Sequence, residues 1–193
     1  MLVKSVLIEK REIKMKNELT NEERLVEIKK YWLKRKSMIN DENANKLNEL
    51  EIFKDKVAFE FKDGWNDLIY ELGKDIEDLC KLANCELPLI QQIKEKFGTL
   101  RFYYNTLNSQ YPKIIEKSIR ALVSQAENRS STICEKCGKF GETRVDGGLY
   151  KTVCEEHQGS SITVFEYEEM MRKHYEERRR AKEKAEQKIR DIK

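Results

Sequence analysis

The stretch CEKCGKFGETRVDGGLYKTVCEEH, residues 134–157, decides how this chain reads. Cys134 and Cys137 form a C-x-x-C pair; Cys154 and His157 form a C-x-x-H pair. Two residues between ligands let a tight knuckle turn both side chains toward one tetrahedral ion, and Gly138 suits the backbone turn that follows. Between the pairs, "ETRV", a turn at "DGG" and "LYKTV" have the length and alternation of a two-stranded hairpin. The expectation is a Cys3His zinc ribbon holding one structural Zn2+ through Cys134, Cys137, Cys154 and His157.

A catalytic zinc usually keeps an open position for water, whereas here two matched pairs fill all four. Deaminase-like sites also use C-x-x-C, but their His-x-Glu partner lies upstream, and the other histidine, His174, lies downstream. Glu135, Glu155 and Glu156 beside the ligands read as solvated charge rather than general bases. No P-loop, dinucleotide fingerprint, nucleophile elbow or paired-histidine helix occurs. The reading is no catalytic residue and no enzyme.

Upstream of the ribbon, Pro112 opens a helix with Ile114, Ile115, Ile119, Leu122, Val123 and Ala126 on its buried side. Before it, "LIQQIKEKFGTLRFYYN" reads as two strands, roughly 89–96 and 99–105, around Gly98. Trp65, Leu68, Ile69, Leu72, Ile76, Leu79 and Cys80 make the clearest amphipathic helical face. A helical stretch from Asp41 is expected to carry Leu47, Leu50, Phe53, Val57 and Phe61 to the break at Asp63-Gly64. Thr20 and Glu23 fit a capping box for a helix bearing Leu25, Ile28 and Trp32. Met15 offers an alternative start, which would make the start at residues 1–14 mis-assigned. Trp32 and Trp65 read as core residues, Cys80 and Cys85 as buried thiols.

After His157, residues 162–193 read as one long charged helix. From 171 onward ten Lys or Arg stand against five Asp or Glu, and Tyr167, Met171, Ala181, Ala185 and Ile192 form only a thin apolar stripe. Such a stripe does not root a helix in a core. The fold class is therefore α+β: helices on a small antiparallel strand pair, a zinc ribbon and long helical extensions. The division is a helical region 1–62, a core 63–130, a ribbon 131–160 and a charged helix 161–193.

Charged residues make up 38% of the chain and hydrophobic ones 39%, with a formal net charge of +3, so any basic surface arises from local clustering. No secretory signal or membrane-length apolar run appears, and five cysteines with ribbon spacing fit a reducing, cytoplasmic setting better than a disulfide framework.

With "GWNDLIYELGKDI", "QQIKEKFGTLRFYYN" and "CEKCG…LYKTVCEEH" in that order, the chain resembles a group of small bacteriophage and bacterial proteins. They join a tryptophan-led helix, a "KEKFGTLRFY"-like strand pair, a helix and a terminal zinc ribbon. The resemblance spans roughly residues 60–157. It implies this architecture and a mobile-element setting, and transfers no catalytic residue.

The expected function is a non-enzymatic binding protein presenting charged helices to a host protein or protein–nucleic acid complex. The alternative is direct DNA or RNA binding through Lys94, Lys96 and Arg101 on the strand pair and Arg178, Arg179 and Arg180 on the last helix. A plainer reading puts the aromatics of "KEKFGTLRFYY" in the core. A weak homodimer through the thin stripe is the remaining partner reading.

Overall fold

The computed structural model describes residues 38–54, 59–106 and 111–191. The capping box at Thr20, Trp32, the alternative start, Val57 and Ile192 lie outside these residues. The fold is α+β.

Helix α1 (Asp41–Asn48) starts where the Asn40 side chain accepts the Asn43 amide at 2.8 Å, and Asp41 and Glu42 complement its positive end. It is short. The continuous helix expected through Phe61 does not form: after Leu50 and Phe53 the chain turns and re-enters as strand β1 (Phe59–Glu60). Phe59 and Phe61 flank Glu60 with the period of two that a strand requires, and both rings are buried. Phe59 packs edge-on against Phe53 and Phe61, and Phe53 against Phe102, so the buried aromatics form one cluster.

Helix α2 (Asn66–Leu82) buries Leu68, Ile69, Leu72, Ile76 and Cys80 on one face, at helical spacing. Strands β2 (Leu89–Lys96) and β3 (Thr99–Asn105) form the expected antiparallel hairpin. The sheet has a third member, because β1 pairs in parallel with β2, Phe59 facing Ile93. A register shift between Ile90 and Gln92 lets Ile90 and Ile93 both point inward. They meet Leu100 and Phe102 of β3 in the common core.

Helix α3 (Lys113–Ser130) packs along β3, the outer strand, and contributes Ile119, Val123 and Ala126 to the core. It also satisfies the strand's outward amides: Leu100 N–H donates to Ser130 Oγ at 2.8 Å and Phe102 N–H to Glu127 Oε1 at 3.0 Å. Covering an edge this way closes it to further pairing. Ile114, expected on the buried side, is exposed, since at about 100° per residue it lies well around the helix from Ile119 and Val123.

The second sheet is built from β4 (Glu142–Asp146), β5 (Leu149–Val153) and β6 (Ile162–Thr163), in the order β5-β4-β6. The β4–β5 turn at Gly147-Gly148 is the expected hairpin turn. Helix α4 (Val164–Asp191) begins two residues later than expected, because Ile162 and Thr163 pair with Val145 and Arg144. A capping box fixes that start: Glu166 N–H donates to Thr163 Oγ1 at 3.1 Å, and the Thr163 amide returns to Glu166 at 2.8 Å. None of its residues is buried. No helix among the described residues is long and apolar enough to cross a membrane.

Candidate metal centre

The four ligand candidates converge. Cys134 ends the approach from α3, Cys137 closes the first knuckle, Cys154 directly follows β5, and His157 closes a single 3-10 turn (Glu155–His157). Their ligating atoms all lie within 4.8 Å of one another. Cys137 and Cys154 sulfurs are 3.7 Å apart, and His157 Nδ1 lies 3.6 Å from Cys134 Sγ and 3.3 Å from Cys154 Sγ. A tetrahedral ion with metal–sulfur bonds of about 2.3 Å and metal–nitrogen bonds of about 2.0–2.1 Å requires S–S edges near ~3.8 Å and S–N edges near ~3.5 Å. The residues fit such an ion, and can hold one.

Backbone hydrogen bonds preset the first knuckle. Gly138 N–H donates to the Cys134 carbonyl at 2.9 Å, and Cys134 N–H to the Lys139 carbonyl at 2.7 Å. Burial opposes ionisation of the Cys134 thiol, yet amides of Cys154, Lys136 and Cys137 aimed at it bring it down to about 6. That is the thiolate a metal binds. In the second knuckle, His157 N–H donates to the Cys154 carbonyl at 3.0 Å. A salt bridge of 2.7 Å between Lys139 and Glu156 spans the two knuckles at the surface.

The ribbon is seated on the core at two glycines. Gly64 lies under the first knuckle: a Cβ there would overlap the Cys134 carbonyl oxygen and come within 2.6 Å of the Cys137 and Gly138 nitrogens. Its neighbours join in. Asp63 accepts from the Asn40 amide and the Asn43 side chain of α1, and Trp65 Nε1–H donates to the Ile133 carbonyl at 2.8 Å. The "DGW" segment thus binds α1, the knuckle and the core in three consecutive residues. The second seat is the β2–β3 turn, where Phe97 and Gly98 both take positive φ, 54° and 76°. A hairpin turn with two positive φ angles matches strand twist, but Phe at such a position is strained. Thr152 Oγ1–H donates to the Gly98 carbonyl at 2.5 Å, and a Cβ on Gly98 would sit 2.9 Å from Thr143 Cγ2.

Glu135 is not the solvated charge the sequence suggests. It is 3% exposed and forms an ion pair with Lys62, because the knuckle folds it inward over the DGW turn. Glu95 lies close by, accepting the Gly98 amide at 2.6 Å; burial first, then the negative charge of Glu135, push its carboxyl above the usual range. Glu155 and Glu156 are exposed.

The strand-pair cations are placed apart from the four-ligand cluster. Phe102 is core, whereas Phe97 and Tyr103 face solvent, so the plainer reading holds for only part of this segment. Lys94 Nζ lies 5.3 Å from the Tyr103 ring centre and Lys96 Nζ 5.3 Å from that of Phe97. The Arg101 guanidinium is folded back along its own strand, donating to Thr99 Oγ1 and the Leu100 carbonyl, both at 2.7 Å. Arg178, Arg179 and Arg180 are exposed on α4; Arg179 lies 3.7 Å from Glu183 and Arg180 4.0 Å from Glu176.

What spacing did not reveal is the support beneath the ligands: Lys62, Gly64 and Trp65, about 70 residues upstream of the first knuckle. Their only sequence signal is the Asp-Gly break before a tryptophan. No family model, no curated protein and no solved structure matches the chain.

Proposed function

We propose that the protein is a zinc-stabilised, non-enzymatic adaptor of phage or mobile-element type, which offers α4 to a host protein or protein–nucleic acid complex. The observation that carries this reading is α4 itself. It is 28 residues long, about 42 Å at 1.5 Å per residue, and buries none of them. Its root is nevertheless firm. Thr163 and Glu166 cap it, Tyr167 packs edge-on against Tyr150 at 6.2 Å, and Arg144 ties β4 to the Ser161 carbonyl at 2.9 Å. A rigid arm that adds no core is suited to contacts outside the chain. Zinc serves the body that holds the arm: with four protein ligands there is no open position for substrate or water.

A direct nucleic-acid reading draws support from the exposed Lys94–Tyr103 and Lys96–Phe97 pairs, since aromatic faces beside cations suit stacked bases and phosphates. The two readings separate experimentally. Affinity purification with the full chain and with a chain ending at Ser161 should recover a stoichiometric partner with the former alone. Retention of that partner by the shortened chain overturns the arm reading. Random-duplex affinity falling steeply with salt, in both chains, supports the strand-pair surface instead.

A further inference from the structure

Helix α2 ends in a turn that brings two thiols together. Asn84 takes φ 49°, Asn84 N–H donates to the Lys81 carbonyl at 3.2 Å, and Cys85 N–H reaches back to the Cys80 carbonyl at 3.0 Å. These two bonds and the left-handed residue define a Schellman helix end, whose geometry puts the side chain three residues before the cap against the one two residues after it. In most helices that contact is apolar. Here both positions are cysteines, so the helix end sets one thiol beside the other.

We propose that Cys80 and Cys85 form a reversible dithiol–disulfide couple, a modification site for low-molecular-weight disulfides such as oxidised glutathione. The two thiols differ in a way that orders the steps. Cys85 is half-buried and reachable from solvent, while Cys80 is 1% exposed and its thiol is pushed up to about 12, by burial first and by the Cys85 thiol second. Cys85 therefore attacks first. Its thiolate displaces one glutathione thiolate from oxidised glutathione, leaving a mixed disulfide on Cys85. Cys80 then loses its proton and attacks Cys85 Sγ; the Cys80–Cys85 bond forms and the second glutathione leaves as thiolate, taking up that proton. Two protein thiols are oxidised and one glutathione disulfide is reduced to two thiols.

The surroundings suit such a couple. Tyr111 sits close enough for both cysteines to act on its phenol, and its hydroxyl donates to the Glu86 carbonyl, so the segment after the helix is held in place. The bond would close a loop of six residues across a helix end that the Cys85 amide and Cys80 carbonyl already hold together. Neither cysteine belongs to the ribbon, and the couple does not depend on metal.

Trypsin gives a direct test, since Lys81 lies between the two cysteines. The full-length, metal-loaded protein is treated with oxidised glutathione, alkylated and digested without reduction. The expected product is peptide 75–81 joined to peptide 82–94, two hydrogens lighter than the sum, and returned to separate peptides by excess reduced glutathione. Recovery of the two peptides singly, both alkylated or with glutathione held on Cys85 beside a free Cys80, overturns the proposal. Cys80→Ala should trap the mixed disulfide on Cys85; a Cys85 that stays unmodified in a folded C80A protein overturns the order of attack. The wild-type digest is decisive even if that variant does not fold.

Discussion

The amide of Gly64 donates to the carbonyl of Glu135 at 3.0 Å, so the turn ahead of α2 and the first metal knuckle are hydrogen-bonded back to back. No side chain fits between them. Gly64→Ala should therefore destabilise the whole body, by roughly 1–3 kcal/mol for an overpacked site, and weaken metal retention along with it. Thermal unfolding with and without a chelator measures both. A melting curve and metal content equal to wild type would show that the knuckle can lift off the turn at no cost.

One zinc per chain is expected from elemental analysis of protein purified without chelator. Cys137→Ser should lose it, because a hydroxyl is a poor substitute for a thiolate on this ion. The ribbon should then unfold while α2 and α3 keep their helical signal. Zinc-free wild-type protein would contradict the assignment.

Gly98→Val should cost about 2–5 kcal/mol, combining the penalty for a branched residue at positive φ with the clash against Thr143. Gly98→Ala should cost less, since alanine tolerates the backbone better and adds only the Cβ. Equal melting points for all three proteins would place the ribbon elsewhere than on the β2–β3 turn.

Glu95 supplies a pH test. Its folded carboxyl titrates above the unfolded one, so the folded state binds this proton more tightly; the contribution to stability is present below the unfolded value and lost as pH rises through the folded value. Glu95→Gln keeps an oxygen for the Gly98 amide and removes the charge. It should melt higher than wild type at neutral pH, with the gap closing as pH falls toward the ordinary carboxylate range. Metal loss at low pH affects both proteins and cancels in the comparison. A gap that is constant with pH would remove burial of the charge as the cause.

Much of this was legible in the sequence, for local reasons. The β2–β3 hairpin follows from alternation about Gly98, and the ligand set from two short spacings. α4 was legible as a helix without a core face because its stripe is thin. The rest depends on contacts between distant residues. Two-residue strands such as β1 and β6 are too short for alternation to mark them out in the sequence; each is paired to the edge of a longer strand. Glu135 looked like surface charge because nothing near it in sequence shows that Lys62 lies opposite. Phe97 reads as a core aromatic, yet it occupies a strained turn, packed edge-on against Tyr150 at 6.1 Å.

The order of synthesis gives the seated ribbon a further meaning. Lys62, Gly64, Trp65 and Gly98 leave the ribosome well before the residues that cover them, and the last ligand, His157, comes only a few residues ahead of the arm. Until residues 133 and 152 follow, the indole N–H of Trp65 has no Ile133 carbonyl and the β2–β3 turn has no Thr152. An ion held by these four ligands would close the body from its C-terminal side, like a keystone set after the arch. Without an ion the seam would stay unfinished and α4 would leave a body not yet closed, so ion supply would meter how many chains complete their fold.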